Sequence, residues 1–162
     1  MSIKQILTSL SLLLILNVAA QSQPAKGSEA KEISMQDANG AVHKLSEYRG
    51  KIVLVDFWAS WCVPCRKSNK ELLSLYNKYK SKGFEIFGIS LDKEKGAWLN
   101  AVKADKINWI QVNEEGGWDG QTALSWSIEA LPSSFLIDKK GRIIAINPSK
   151  SEIEAALKNS EL

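Results

Sequence analysis

Cysteine and histidine are scarce in this chain of 162 residues, which has two cysteines and one histidine, His43. A zinc site needs about four ligands, so these residues cannot form one unless carboxylates complete it. An excess of one charge is also missing, because beyond residue 20 the chain carries 20 basic and 18 acidic side chains. We therefore expect no metal and no nucleic-acid partner.

A hydrophobic run long enough to span a membrane is missing as well. Residues 1–20, MSIKQILTSLSLLLILNVAA, hold Lys4 and then an apolar run shorter than the roughly 20 residues that a membrane helix needs. The run ends in small residues, Val18-Ala19-Ala20, which fit a cleavage site. No cysteine follows for a lipid anchor. We predict a signal peptide and export to the periplasm, with an uncleaved membrane anchor as the alternative.

The remaining sequence is predicted to form one domain after a short leader. Residues 21–30, QSQPAKGSEA, are small and polar, which indicates a flexible leader. Residues 31–162 contain no internal repeat and have the usual length of a single domain.

Strand and helix patterns alternate along this domain. A hairpin is predicted around Asn39-Gly40, and the apolar run KIVLVDFW is typical of a strand buried on both faces. Further strand patterns are GFEIFGIS, WIQV, SSFLID and RIIAIN. This order predicts an α/β fold, in which a mixed β-sheet has helices on both faces and an N-terminal β-hairpin extension.

Four helices are predicted between or after these strands. The longest covers residues 62–82 and ends at Gly83. The next, in KEKGAWLNAVKAD, has an inner side made of three residues: Trp98, Leu99 and Val102. Asp119 is expected to cap a third helix in DGQTALSW. Ser151 and Glu154 are expected to form a capping box at the start of the last helix.

Both cysteines lie in one stretch, DFWASWCVPC, as Cys62 and Cys65. Thiols of exported proteins usually become structural disulfides. A bridge that closes so short a loop removes little chain entropy and is therefore a poor staple. Redox chemistry is the interpretation that remains, with the Cys62–Cys65 pair as the redox centre and no other cofactor.

The position of Cys62 favours a reactive thiolate. A buried strand ends and a helix begins there, so unpaired N–H groups and the helix dipole stabilise negative charge. Pro64 is acceptable in a first helical turn, where it stiffens the segment. We predict that Cys62 is the exposed nucleophile and that Cys65, one turn later and better shielded, resolves the mixed disulfide.

Asp56 interrupts an otherwise apolar run six residues before Cys62. Desolvation at the end of a buried strand would raise the pKa of its carboxyl group. Asp56 would then suit the acceptance of a proton from Cys65, directly or through water. The alternative is an ordinary acid exposed at the end of a strand.

Together these motifs resemble the thioredoxin superfamily and, within it, exported thiol-disulfide oxidoreductases of the TlpA and ResA type. The resemblance runs from about Glu32 to Leu157 and rests on the hairpin, VLVDFWASWCVPC, GFEIFGISLD and ALPSSFLIDKKGRIIAI. It implies a thioredoxin-like domain over residues 31–162 and a cis peptide at Leu131-Pro132, opposite the cysteines. Without the resemblance, a trans bond would be expected there.

The resemblance also implies how substrates bind. Trp61 would shield the site and pack on the substrate, next to Val63 and Pro64, while the Leu131-Pro132 loop would lend backbone hydrogen bonds to an extended substrate segment. The substrates would be protein disulfides and thiols, and a membrane thiol carrier would supply the electrons. The protein would act as a monomer. Trp118, in EEGGWDG, is expected to serve packing, with a loop near the active face as the alternative.

Several departures bear on the type of oxidoreductase. Relatives specialised for cytochrome c maturation usually carry glutamate where this chain has Ser68, and an uncharged residue in place of Asp56. The family's first long helix commonly carries a proline five residues after the second cysteine, and in this chain that position is Lys70. We therefore favour a general reductase of exported proteins, with a maturation factor as the alternative.

Two other functions are weighed against oxidoreduction. Thiol peroxidases of this fold share a Pro-x-x-x-Thr/Ser-x-x-Cys motif, and here Val55 and Ala59 occupy its first two positions before Cys62. A non-catalytic binding or holding module is the remaining alternative. Docking alone would not require the cysteines.

Overall fold

The computed structural model describes residues 23–159. The predicted signal peptide over residues 1–20 lies outside this part of the chain and stays a prediction. Within residues 23–159, each helix is too short or too polar to cross a membrane.

A five-stranded mixed sheet forms the centre of the fold, beside a small hairpin sheet. In chain order the elements are β1 (Ser34–Gln36), β2 (Val42–Lys44), β3 (Ile52–Trp58), α1 (Val63–Tyr79), β4 (Phe84–Ser90), α2 (Lys95–Ala104), β5 (Ile110–Asn113), α3 (Gln121–Ser125), β6 (Ser133–Ile137), β7 (Ile143–Ile146) and α4 (Lys150–Asn159). The large sheet has the order β5-β4-β3-β6-β7. Strand β3 runs parallel to β4 and antiparallel to β6. The predicted fold class and hairpin are confirmed.

Strand β3 lies at the centre of the sheet and is buried along its whole length. Successive side chains of a strand point to opposite faces. Val55 and Phe57 therefore join a core with Ala123 of α3, whereas Leu54 joins a second core, which α1 and α4 cover. Asp56 shares the face of Leu54, and its carboxyl group consequently points toward α1.

The segment before the hairpin is part of the folded domain. Residues 27–30 were expected to belong to a flexible leader, but Gly27 N–H donates to Ile143 O at 2.7 Å and Ala30 N–H donates to Gly141 O at 2.9 Å. The expectation is wrong here because β7 is an edge strand whose free backbone groups bind the segment. The small, polar composition of the segment does not show that it binds to the edge of a sheet.

The N-terminal segment reaches both edges of the large sheet. Glu29 forms an antiparallel bridge with Arg142, which directly precedes β7. Asp37, after β1, forms another with Val112 of β5. The segment that includes the hairpin therefore contacts the two outermost strands.

The inner side of α2 differs from the prediction. Trp98 is buried together with Ala101, whereas Leu99 is exposed and Val102 is half-buried. Residues three apart lie on one face of a helix, and this spacing places Ala101 beside Trp98. The assignment of Leu99 to the inner side is wrong.

Helix α3 is not capped by Asp119. Gly120 is its N-cap residue, and the Glu114 carboxylate accepts the Thr122 N–H at 2.8 Å. Asp119 instead ends a short 3₁₀ turn, Gly117–Asp119. The acceptor comes from the end of β5, which a local pattern cannot show.

Helix α4 has a capping box, but two residues earlier than predicted. Ser149 N–H donates to the Glu152 carboxylate at 2.7 Å, and Glu152 N–H donates to Ser149 Oγ at 3.3 Å. The Ser151–Glu154 assignment is wrong because α4 already begins at Lys150. Both pairs have the same spacing in the sequence, so the pattern alone did not distinguish them.

Candidate active site

Cys62 and Cys65 are joined by a disulfide at the start of α1. Cys62 is the N-cap residue of the helix, and Cys65 N–H donates to its Sγ at 3.2 Å. Pro64 lies in the first turn, where its missing N–H costs no helical hydrogen bond. The strand end, the loop and this turn place the Cys62 sulfur at the positive end of the helix dipole.

Both cysteines are buried in this oxidised structure. Cys62 is 5% exposed and Cys65 is 1% exposed. The expected exposure of Cys62 is therefore wrong, although Cys65 is the more shielded of the two. The cause is a cluster of large side chains in which both cysteines pack with Trp58 of β3 and Trp98 of α2.

A buried carboxylate holds the loop that leads to Cys62. Asp92 accepts hydrogen bonds from Ser60 N–H at 2.8 Å, from Ser60 Oγ at 2.5 Å and from Ser90 Oγ at 2.6 Å. Sequence reasoning missed Asp92. The sequence feature that could have revealed Asp92 is an acidic residue just after the apolar strand GFEIFGIS. Asp56 stands out in a similar way within the apolar run before Cys62.

A second anchor joins the first turns of α1 to the end of α2. Arg66 forms an ion pair with Asp105 and also donates to Ser60 O at 3.2 Å. Asn69 donates to Asp105 as well, at 3.1 Å. Burial raises the pKa of Asp105, but the hydrogen bonds from Arg66 and Asn69 outweigh it and hold this pKa below the ordinary value.

Asp56 lies inside β3, opposite Gly88 of β4 and Ser134 of β6. It is 5% exposed, so the alternative of an exposed acid is wrong. Burial raises the pKa of Asp56 from 3.8 to about 7. The carboxyl group is thus able to take up or release a proton near neutral pH.

Asp56 faces a cavity of about 160 Å³. Its walls come from β3, β6, α1, α4 and the loops before β6 and α4: Leu54, Ser68, Leu72, Pro132, Ser134, Asn147, Pro148 and Ile153. Ser68 lies three residues after Cys65, hence on the same side of α1. The cavity has room for water between Asp56 and the Pro132 loop.

The Leu131-Pro132 peptide bond is cis. Leu131 is half-buried and packs against the cluster that contains Cys62 and Cys65. Pro132 is exposed and also lines the cavity of Asp56. The loop consequently contacts both the hydrophobic cluster of the two cysteines and the cavity of the buried acid.

The residues expected to contact substrate surround the disulfide. Trp61 is 55% exposed and Val63 is 78% exposed, and Pro64 is exposed as well. The Trp118 ring lies against that of Trp61, with 6.2 Å between the ring centroids. Trp118 thus packs on Trp61, and its loop lies near the active face, as the alternative expected.

Within the described residues, no group of three or more histidine, cysteine, aspartate or glutamate side chains is arranged to hold a metal ion. The chemistry available at this site is that of two thiols, with an acid of raised pKa on β3, the strand that leads to them. A family model described as the AhpC/TSA family matches residues 26–146.

The chain belongs to the AhpC/TSA family. Membership in this thioredoxin-superfamily group confirms the resemblance that the sequence motifs indicated. Among curated relatives, the thiol-disulfide oxidoreductase ResA of Bacillus thuringiensis subsp. konkukian is 34% identical over 135 residues, which are 82% of this chain and 76% of the relative. ResA of Bacillus subtilis is 30% identical over 128 residues, 79% of this chain and 70% of the relative.

Solved structures agree with these relatives. The thioredoxin domain of a thiol-disulfide oxidoreductase from Bacteroides vulgatus superposes with a TM-score of 0.75 at 35% identity, covering 83% of this chain and 96% of that domain. With its Cys-x-x-Cys pair, this AhpC/TSA family member is a thiol-disulfide oxidoreductase.

The raised pKa of Asp56 predicts that stability falls as pH rises. Between pH 3.8 and about 7 the folded protein retains a proton on Asp56 that the unfolded chain has lost. Above pH 7 the folded parent chain bears the free-energy cost of a buried negative charge at Asp56, and Asp56→Asn has no such charge. The free energy of unfolding of Asp56→Asn should therefore exceed that of the parent chain by about 4 kcal/mol above pH 7. The difference should vanish below about pH 4. Urea unfolding of both oxidised proteins across this range measures it.

Asp119→Asn serves as the control because it makes the same substitution at an exposed position. Its stability should follow that of the parent chain at every pH. A constant difference between Asp56→Asn and the parent chain from pH 4 to 8 would contradict the prediction.

Proposed function

We propose that the protein is an exported reductase of protein disulfides, with Cys62 as nucleophile and Cys65 as resolving thiol. The observation that carries this proposal is the position of Cys62 Sγ at the N-cap of α1, where it accepts the Cys65 N–H. Hydrogen bonding and the helix dipole both favour the anionic form of a sulfur at this position. Cys62 is therefore the better attacking group.

The reaction proceeds through two exchanges. The Cys62 thiolate attacks one sulfur of the substrate disulfide, a Cys62–substrate disulfide forms, and the second substrate sulfur leaves as a thiolate. The Cys65 thiolate then attacks Cys62 Sγ, which forms the Cys62–Cys65 disulfide and releases the first substrate sulfur as a thiolate. The substrate gains two electrons, and the cysteine pair loses them.

Asp56 is proposed to assist the second exchange. Cys65 must lose a proton while it is shielded from solvent, and a pKa of about 7 allows Asp56 to accept it. The cavity between Asp56 and Ser68 provides room for a water molecule that relays the proton. Asp56 can pass this proton to solvent after the substrate has left.

Substrate contact is assigned to the exposed surface around Cys62. Trp61, Val63 and Pro64 lie on one side of it, and the Leu131-Pro132 loop lies near the pair. The backbone of this loop would form hydrogen bonds with an extended substrate segment. All these groups come from one chain, and we propose that the monomer is active.

Export is inferred from the apolar run and the small residues that follow it in residues 1–20. A reductase outside the cytoplasm needs a supply of electrons, for which we propose a membrane thiol carrier. Cytochrome c maturation remains the second candidate, since it would use the same thiols. Ser68, where such factors carry glutamate, lines the cavity beside Asp56 and favours the general reductase.

Peroxide reduction and simple docking are less well supported. Val55 and Ala59, at the two motif positions that bind peroxide in thiol peroxidases, are buried apolar residues without a hydroxyl group. A docking module needs neither the cysteine pair nor an acid with a raised pKa beside it.

Cys62→Ser should abolish reduction of the disulfides of insulin because no nucleophile remains at the helix start. Cys65→Ala should instead capture the substrate as a stable mixed disulfide on Cys62, since the resolving thiol is missing. Precipitation of insulin chains and mass spectrometry of the trapped species measure the two outcomes. Insulin reduction by Cys62→Ser at the rate of the parent chain would refute the assignment.

The direction of electron flow predicts the reduction potential of the pair. A reductase should have a value near about −270 mV, whereas an oxidant would lie near about −120 mV. Equilibration of the protein with glutathione buffers, followed by alkylation of free thiols, measures this potential. A value close to that of the oxidant would reverse the proposed direction and leave the two exchange steps intact.

Asp56→Asn should slow only the second exchange, by about 100-fold or more, because it removes the proton acceptor of Cys65. Stopped-flow mixing of the reduced protein with a model disulfide separates the formation of the mixed disulfide from its resolution. Ser134→Ala, which alters another wall of the same cavity, is the control and should leave both rates unchanged. An unaltered resolution rate in Asp56→Asn would exclude the proposed role.

A further inference from the structure

Two of the six tryptophans in the chain are exposed, and these two touch each other. Trp61 is 55% exposed and Trp118 is 36% exposed, and their ring planes meet at 47°. The other four are buried: Trp58, Trp98, Trp109 and Trp126. Trp61 directly precedes Cys62, so the pair flanks the nucleophile.

Packing alone does not account for the Trp61–Trp118 pair. A core contact would bury both rings, yet each keeps more than a third of its surface in water. Val63, on the other side of Cys62, is 78% exposed. Large exposed apolar side chains grouped around one position in this way are typical of a site of interaction with another molecule.

The loop that carries Trp118 is tightly packed. A side chain at Gly116 would lie 2.7 Å from the backbone of Gly120, and one at Gly120 would lie 2.2 Å from the side chain of Glu114. Gly117 has a φ of 59°, which favours glycine. These glycines allow a compact turn on both sides of Trp118.

One end of β4 fixes the positions of both tryptophans. The Asp92 carboxylate holds Ser60, the residue before Trp61. Asn113 Nδ2 donates to the backbone oxygen of the same Asp92 at 2.8 Å, and Glu114 N–H donates to Ser90 O at 2.8 Å. The two loops are therefore arranged before any substrate arrives, which lowers the entropy lost on binding.

We propose that Trp61 and Trp118 together form an aromatic docking surface, which receives an apolar side chain beside the reacting cysteine of the substrate polypeptide. This inference rests on the proposed function and names the class of substrate. The occupant is an extended segment of a partner protein, because Trp61 directly precedes Cys62 and the exposed Val63 directly follows it, so a polypeptide whose sulfur reaches Cys62 passes beside these side chains. Trp118 is the specificity-determining residue, since its loop completes the surface that Trp61 begins.

The chemistry of the surface determines which segments it accepts. Indole rings gain most from apolar and aromatic side chains, which they remove from water. A charged side chain at the same place would lose its hydration without gaining a partner. Substrates with an aromatic residue next to the cysteine should therefore react faster than those with small polar neighbours.

Two peptides test this preference, one with Phe-Cys-Phe and one with Ser-Cys-Ser, each with its cysteine in a disulfide with 5-thio-2-nitrobenzoate. In the reaction the Cys62 sulfur bonds to the peptide sulfur, the original S–S bond breaks, and thionitrobenzoate leaves with the electron pair. Its absorbance reports the rate. The reduced parent chain should react about tenfold faster with the phenylalanine peptide.

Trp118→Ala should lose most of this preference, and Trp118→Phe should keep most of it because an aromatic ring remains. Leu124→Ala removes an apolar side chain that is also exposed, on the neighbouring helix α3, and should behave as the parent chain. Hydroxyethyl disulfide, which has no polypeptide segment, should react equally with all four proteins. Equal unfolding midpoints would show that the variants are folded.

An unchanged ratio between the two peptides in Trp118→Ala would overturn the proposal. Equal slowing on every substrate, hydroxyethyl disulfide included, would also overturn it, since Trp118 would then act by positioning Cys62. Failure of the proposed function looks different, because the parent chain itself would leave all three disulfides intact. That result would remove the docking proposal as well.

Discussion

The hydrogen bond from Cys65 N–H to Cys62 Sγ is the interaction on which the site depends. It exists only if α1 begins at Cys62, and the neighbouring contacts fix that start. Asp92 holds the loop on one side, and the Arg66–Asp105 pair holds the first turns of the helix on the other. The reactivity of the sulfur is thus a property of the surrounding fold as well as of the Cys-x-x-Cys spacing.

Three buried aspartates near the disulfide show how the environment sets the role of one residue type. Asp105 has charged and amide donors, so its pKa stays low and it serves as an anchor. Asp92 accepts three hydrogen bonds from Ser60 and Ser90 and fixes a loop. Asp56 lies in the apolar centre of the sheet, where burial raises its pKa to about 7.

Local features of this chain could be predicted from the sequence, and features that join distant segments could not. The buried strand β3 and the helix start at Cys62 follow from a short apolar run and the adjacent cysteines, and the acid at position 56 stands out within that run. The contact between Trp61 and Trp118 requires two loops to meet in space. The capping box of α4 was predicted at the wrong serine, because Ser149 and Ser151 are each followed by a glutamate three residues later.

The course of the N-terminal segment has a further consequence. Residues 27–30 bind the chain at the start of β7, and the bridge at Asp37 touches β5 at the opposite edge. Open sheet edges invite pairing with other extended chains. An enzyme that handles extended polypeptides would risk capturing them along its outer strands, where no chemistry occurs. The segment occupies part of each margin and so leaves fewer backbone groups of the outer strands free for such pairing.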